Sequence, residues 1–524
     1  MSRLSNFKGK SFIDKIATLN QIATDGTEHE IEELIALSSS SSNDATIDVM
    51  VTHTLRDLLL KNESATVKLL GSQQKEHIQL ALGIISRQKY QSAMAGLRSL
   101  YTTQNDSLFK NEILQTMMDL DPKAFTDLFN SEIHNPDCLL AATSIKAIGL
   151  CGDQSQSRQL QQMIRDNEHP DHYHICAITC AQSIETLATL GGEDNLRFLC
   201  QNLHHKNPTA RRFIQEQLSQ IGDPIIQYLS PLFTQGDTDQ KILAANVISS
   251  TKGKLGEDLL LSVLDQGMAD DPNVRFAVYE ALGAFPSMKT FVCLIEALQE
   301  TDPLILISVL AALNQYEYPF VADKIMERID PESEHGKAII KAMVDSEAEV
   351  IIRKLFSAPQ LTKAIKETLL QARRNRESDT INSLCSELIT DLAPKQKHAE
   401  HKAQGPRILA ADDSMAIRKF YESVLSDAGY QVFTAEDGLN AYTKLQFDPF
   451  DLLITDLNMP NMDGIELAEK VRSEESTRKM PIIMVTTESE QSQRALAEQQ
   501  RIDAYVKKPI KPDVLLKAIR GLGV

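Results

Sequence analysis

Leu452-Leu453-Ile454-Thr455-Asp456-Leu457-Asn458-Met459-Pro460-Asn461-Met462-Asp463-Gly464 runs from an apolar tetrad into a single carboxylate. The first four residues suit a buried strand. Pro460 and Gly464 punctuate a loop, and the helical pattern IELAEKVR follows. Asp456 is thereby placed at the C-terminal end of a strand, where open α/β sheets hold their ligands.

Three further stretches share this form. Arg407-Ile408-Leu409-Ala410-Ala411 ends in Asp412 and Asp413, and Pro481-Ile482-Ile483-Met484-Val485 ends in Thr486. Ala504-Tyr505-Val506 ends in Lys507, Lys508 and Pro509. Short apolar runs alternating with helical patterns predict βαβ units and a parallel sheet. Such a sheet delivers the C-terminal residues of all its strands to one edge, so three acids, a hydroxyl and a lysine should meet there.

Those residue types have a definite chemistry. Clustered carboxylates repel one another, and a divalent cation relieves the repulsion. Mg²⁺ takes hard oxygen ligands and works beside phosphates. A carboxylate next to the metal can act as a nucleophile, as in aspartyl-phosphate enzymes. Lys508 and Thr486 can bind phosphoryl oxygens. The cluster reads as a phosphoryl acceptor, with Asp456 as the accepting residue.

Residues 406–524 resemble the receiver domain of two-component response regulators. The resemblance rests on Asp412-Asp413, on Asp456 within TDLNMPNMDG, on Thr486 and on Lys508-Pro509. It implies a flavodoxin-like (βα)5 fold and Mg²⁺ held by Asp412, Asp413, Asp456 and the backbone carbonyl of Asn458. It also implies phosphotransfer assisted by Lys508 and Thr486, with Thr486 and Tyr505 as switch residues. Asn458 and Glu488 flank the acceptor and the threonine as in chemotaxis-type receivers. In that family these two positions tune phosphoryl lifetime, which implies a short-lived signal. The implied donor is a histidine kinase or phosphotransfer protein, and the protein is not expected to be an enzyme beyond its own phosphorylation and dephosphorylation. Phosphorylation is expected to alter the face around residues 490–500 and 511–521, which would dock on or leave the N-terminal region near the linker.

Outward from this domain, residues 1–392 show almost no strand pattern. The clearest unit is Asp271-Pro272-Asn273-Val274-Arg275-Phe276-Ala277-Val278-Tyr279-Glu280-Ala281-Leu282-Gly283, followed by a second helical run at 290–298. Asp271 or Asn273 can cap the first helix, and Pro272 suits its first turn. Equivalent first helices end at Ile85, Met118, Leu150, Leu190, Ile221, Leu313 and Met343, mostly 30 to 33 residues apart. The 40-residue step from Leu150 to Leu190 implies an insertion at Asp166–His174, and the 61-residue step to Leu282 hides a repeat near Lys241–Ser250. A hairpin of this period cannot bury its face alone and stacks into a solenoid. DPNVRFAVYEALG resembles HEAT repeats, most clearly over residues 70–360. The expected organisation is an all-α solenoid over 1–392, a linker over 393–405 and the α/β domain over 406–524.

Composition narrows the function classes. The 524 residues are 42% hydrophobic and 24% charged, so the chain is not disordered. A net charge of −18, most of it outside the last 120 residues, argues against a phosphate-backbone binder, as does the absence of Trp. No apolar run is long enough to insert in a membrane, and the first ten residues lack a signal-peptide pattern. Seven scattered cysteines without a CxxC read as reduced thiols, and the location expected is the cytoplasm.

Other features read as structural. Ser38–Ser42 suits a flexible loop. His172 or His174 with Cys176 and Cys180 has metal-like spacing, but buried helix cysteines explain it more simply. His398 and His401 sit in the linker, without the helical hairpin of a phosphotransfer histidine. The solenoid should then bind a protein that the sequence does not identify. Competing readings are a phosphate sink or scaffold in a chemotaxis-like pathway, and a HEAT-like nucleic-acid or repair protein.

Overall fold

The structure, a computed structural model, describes residues 2–38, 45–168, 177–316, 318, 320–376, 378–389, 405–487 and 501–524. The Ser39–Ser42 part of the serine run, His172, His174, Cys176, the linker with its two histidines, and Glu488 lie outside the described residues. The chain divides into two compact units, Met1–Asn195 and Leu196–Val524.

The N-terminal unit is helical throughout its described length. Its repeating first helices are α1 (Lys75–Gln88), α2 (Ser107–Leu120), α3 (Cys138–Cys151) and α4 (Ala177–Leu190). Each packs on the next, with a shorter second helix behind. Asp106 and Asp137 cap α2 and α3 through their carboxylates, satisfying backbone donors that a helix start otherwise leaves unpaired.

The C-terminal unit continues the pattern with α5 (Pro208–Ile221), α6 (Thr238–Thr251), α7 (Pro272–Leu282), α8 (Pro303–Leu313), α9 (Glu334–Asp345) and α10 (Pro359–Asn375). These also stack in order. Asn207-Pro208, Asp271-Pro272 and Asp302-Pro303 open three of them in one way. The Asn or Asp accepts from a backbone N–H in the first turn, and Pro fills a position whose N–H would be orphaned. Asp271, rather than Asn273, is the cap of α7. The helix α6 occupies the position of the hidden repeat.

A five-stranded parallel sheet follows, in the order β2-β1-β3-β4-β5. The strands are β1 (Arg407–Ala411), β2 (Gln431–Ala435), β3 (Leu452–Asp456), β4 (Ile482–Thr486) and β5 (Ala504–Lys507). Its described helices are α11 (Met415–Asp427), α12 (Gly438–Phe447), α13 (Gly464–Ser473) and α14 (Pro512–Gly521). Every residue of β3 and β4 is buried, because both faces of the central sheet are covered. Leu409, Leu453 and Ile482 pack with Leu467 and Val471 of α13, while Leu457, Ile465, Met484 and Ile502 form a second cluster. The protein is thus a multidomain chain of stacked helical hairpins followed by a flavodoxin-like α/β domain. Among the described residues no helix is long and apolar enough to cross a membrane, and the described cysteines are free thiols.

Candidate functional site

Strand order positions the site. The strand order reverses between the parallel strands β1 and β3, and the crevice at their C-terminal ends is where such sheets bind ligands. Register brings Ala411 opposite Thr455, Asp456 opposite Val485 and Thr486 opposite Lys507. Asp412 and Asp413 leave β1 at that edge, beside Asp456.

The three acids do converge. One carboxylate oxygen from each of Asp412, Asp413 and Asp456 lies within 4.8 Å of the others, and no other group of three such ligands occurs among the described residues. Lys508 Nζ stands 3.2 Å from Asp412 Oδ2 and 3.2 Å from Asp456 Oδ1. Asp412, Asp456 and Thr486 are buried. Burial raises the Asp456 pKa above the ordinary carboxylate range; Lys508 opposes this, and the charges of Asp412 and Asp413 add to it. Asp413, an exposed residue, shifts the same way, through desolvation at the crowded edge and the charge of Asp412, with Lys508 opposing. Burial disfavours the charged form of Lys508, yet the surrounding aspartates overcome it and hold the ammonium well above the usual lysine value. Donor type and crowding fit a small, hard divalent cation.

The loop after Asp456 is fixed by two devices. Asp463 caps α13 by accepting from the backbone N–H of Ile465 and Glu466, and the Glu466 carboxylate in turn accepts from the Asp463 N–H. Gly464 passes so close to the acceptor that an added Cβ would lie 2.1 Å from the Asp456 carbonyl oxygen. Asn458 lines the cavity outside the acids, and the half-buried Tyr505 ring packs against Met484 and Ile502.

Sequence reasoning missed residues that the helical array brings to this edge. Glu280 of α7 accepts a hydrogen bond from the Ser414 hydroxyl. Thr209 of α5 donates to Asp463 Oδ2 at 3.4 Å and Glu466 Oε1 at 3.3 Å. Between array and sheet lies a cavity of about 560 Å³ bounded by Glu280, Asp413 and Asn458. Burial pushes the Glu280 carboxyl up to about 7, with the Ser414 hydrogen bond pulling down and the Asp412 charge pushing further up. Glu280 was legible only as one polar residue in an amphipathic helix.

Residues 408–520 match the response regulator receiver domain family. The chemotaxis protein CheY1 of Helicobacter pylori is 40% identical over 111 residues, 21% of this chain and 90% of that protein. The chain belongs to the response-regulator receiver family. CheY of Pseudomonas aeruginosa is 38% identical over 117 residues, 22% of this chain and 94% of its own length. A crystal structure of Vibrio cholerae CheY4 is 38% identical, covering 22% of this chain and 97% of that one, with a TM-score of 0.22, too low to carry weight. The family thus accounts for the receiver domain alone, and the helical array stands outside every one of these matches.

Proposed function

We propose that the receiver accepts a phosphoryl group on Asp456 from a histidine kinase or phosphotransfer protein, and that this controls which protein the helical array binds. The observation that carries the reading is the convergence of three carboxylates at the strand ends, two of them paired with one lysine. Asp456 is the nucleophile, since it alone of the three ends a central strand with its carboxylate paired to Lys508 and its loop pinned by Gly464. One of its oxygens attacks phosphorus, the phosphorus–nitrogen bond of the donor breaks, and the imidazole leaves with the electron pair and takes up a proton. Lys508 meets the developing charge on the phosphoryl oxygens, and Thr486 donates its hydroxyl to them. Asp412, Asp413, Asp456 and the Asn458 carbonyl would hold Mg²⁺, which when bound neutralises charge between carboxylates and phosphoryl group.

Thr486 moving toward the phosphoryl group frees room for Tyr505 to turn inward. Asn458 and Glu488 set the lifetime of the acyl phosphate. The chain acts as a cytoplasmic regulator with HEAT-like repeats and has no catalytic output of its own. Incubation with acetyl phosphate and Mg²⁺, followed by intact-mass measurement, should add one phosphoryl group to the wild type and none to Asp456→Asn. Equal labelling of both would overturn the reading.

A further inference from the structure

The helix α11 starts beside the acids, since its cap Ser414 directly follows Asp412 and Asp413. Alternation along the strands fixes what it covers. Leu409, Ala411 and Leu453 pack with α12 and α13 on one face of the sheet. Successive strand residues point to opposite faces, so Ala410, Ile454 and Asp456 turn to the other face, where α11 packs on β1 and β2. Tyr421 is fully buried on α11, about two turns in from Ser414. Side chains on a helix lean toward its N-terminus, which here is the end at the acids. The charges of Asp412 and Asp456 reach the phenol and add to burial in holding its pKa well above the usual tyrosine value, so it stays a donor. Yet among the described residues its hydroxyl makes no hydrogen bond. A buried, unpaired hydroxyl is destabilising, and phenylalanine would fill the same space without one.

We propose that Tyr421 is a positioning residue whose hydroxyl donates to Asp412 Oδ2 when Asp456 carries a phosphoryl group. The proposal rests on the phosphoacceptor reading above. Lys508 Nζ is shared between Asp412 Oδ2 and Asp456 Oδ1, 3.2 Å from each. Asp412 Oδ1 accepts from the Ser414 N–H at 2.9 Å. Once Lys508 turns to the phosphoryl oxygens, Oδ2 loses its donor, and Asp412 is a buried residue in which an unpaired charged oxygen is costly. The Tyr421 phenol is a donor with no other bond to give up. No proton changes hands: one donor replaces another on the same oxygen. A hydrogen bond made only in the occupied state shifts the balance toward that state by its own strength, so the hydroxyl that destabilises the uncharged receiver strengthens its hold on the phosphoryl group.

The test uses the full chain in Mg²⁺ with beryllofluoride as the phosphoryl mimic. Bound mimic is counted by fluorine NMR against Asp456→Asn as background. Tyr421→Phe should bind it about tenfold more weakly than the wild type, the low end for a hydrogen bond to a charged group. In chain labelled with carbon-13 at the tyrosine Cζ, the signal that Tyr421→Phe removes should shift when the mimic is added. Without Mg²⁺ and mimic, Tyr421→Phe should resist urea at least as well as the wild type, because the hydroxyl has no partner to lose there. Equal affinity of the two chains, or a Cζ signal that stays in place, overturns the proposal and leaves the phosphoacceptor intact. Loss of urea resistance in Tyr421→Phe, up to failure to fold, overturns it as well, by showing that the hydroxyl is already bonded in the uncharged receiver. Failure of the wild type and Tyr421→Phe alike to bind the mimic overturns the phosphoacceptor reading and this proposal together.

Discussion

Asp456 shows how one position can be over-determined. Its carboxylate touches Lys508, its neighbours in space are two more acids, and its carbonyl leaves no room for a side chain at residue 464. Gly464→Ala must therefore shift the acceptor loop. Overpacking of this kind costs about 1–3 kcal/mol, so urea unfolding should show a lowered midpoint and the chain should take up less phosphoryl label. An unchanged midpoint with full labelling would show that the loop yields freely. A second residue-scale case lies at the N-terminus. Arg3 holds Glu30 through two hydrogen bonds of 2.6 and 2.7 Å, and this lowers the Glu30 carboxyl to about 2 against burial. A depressed folded pKa contributes stability that is full above the unfolded value, near 4.5, and is lost as pH falls toward 2. Glu30→Gln should thus unfold more easily than the wild type at neutral pH, and the difference should shrink between pH 4.5 and 2 in a pH series of denaturation curves. Asp456, Asp412, Asp413, Thr486 and Lys508 could be placed from sequence because each follows an apolar run, and strand ends of a parallel sheet share an edge. Glu280 could not, because its partner Ser414 is 134 residues away and no periodicity encodes that pairing.

At the scale of elements, legibility followed apolar patterning. The strands β1, β3 and β4 read directly as unbroken apolar runs, since helices cover both sides of them. In β2, four of five residues are only half-buried at the sheet's edge, and Gln431-Val432-Phe433-Thr434-Ala435 gives no such run. The helix α8 carried a signal that passed unused. Leu304 to Leu310 are all buried and mostly aliphatic, more than a helix with one core-facing stripe requires. The excess is explained by α11, which packs on it. Caps were legible as well, and they permit a quantitative expectation. Asp302 accepts from the Leu304 N–H at 2.8 Å to start α8. Asp302→Ala should cost about 1 kcal/mol, read as a lower unfolding midpoint with an unchanged denaturant slope. No loss would mean that Pro303 and the neighbouring helices hold the start unaided.

Across the whole molecule, the described receiver residues and the helices from α5 to α10 belong to one compact unit. Sequence reasoning separated the helical array from the α/β domain by their periodicities, but periodicity does not say which surfaces meet. It led to the expectation that the face around residues 490–500 and 511–521 changes on phosphorylation and docks on or leaves the array near the linker. Ser414 at the start of α11 and the Asp463–Glu466 turn meet the array at the strand-end edge, and Ser423 meets it farther along α11. Residues 488–500 lie outside the described residues, while Lys511 and Val514 line a second cavity facing His204 and Asp271. The exposed ion pairs of this interface are individually weak, commonly worth about 0.2–1 kcal/mol. Lys341→Ala and Asp427→Ala combined in a double-mutant cycle should show a coupling of that size in unfolding free energy; a coupling of zero would show that this pair adds nothing to the contact. All of this depends on where the phosphoryl group goes, and borohydride trapping answers that most directly. The full chain is charged with acetyl phosphate in Mg²⁺, the acyl phosphate is reduced to homoserine, and the modified position is located by peptide mass spectrometry. The prediction is modification at Asp456 alone, lost in excess chelator. Modification at Asp412 or Asp413, or full labelling without divalent cation, would contradict it.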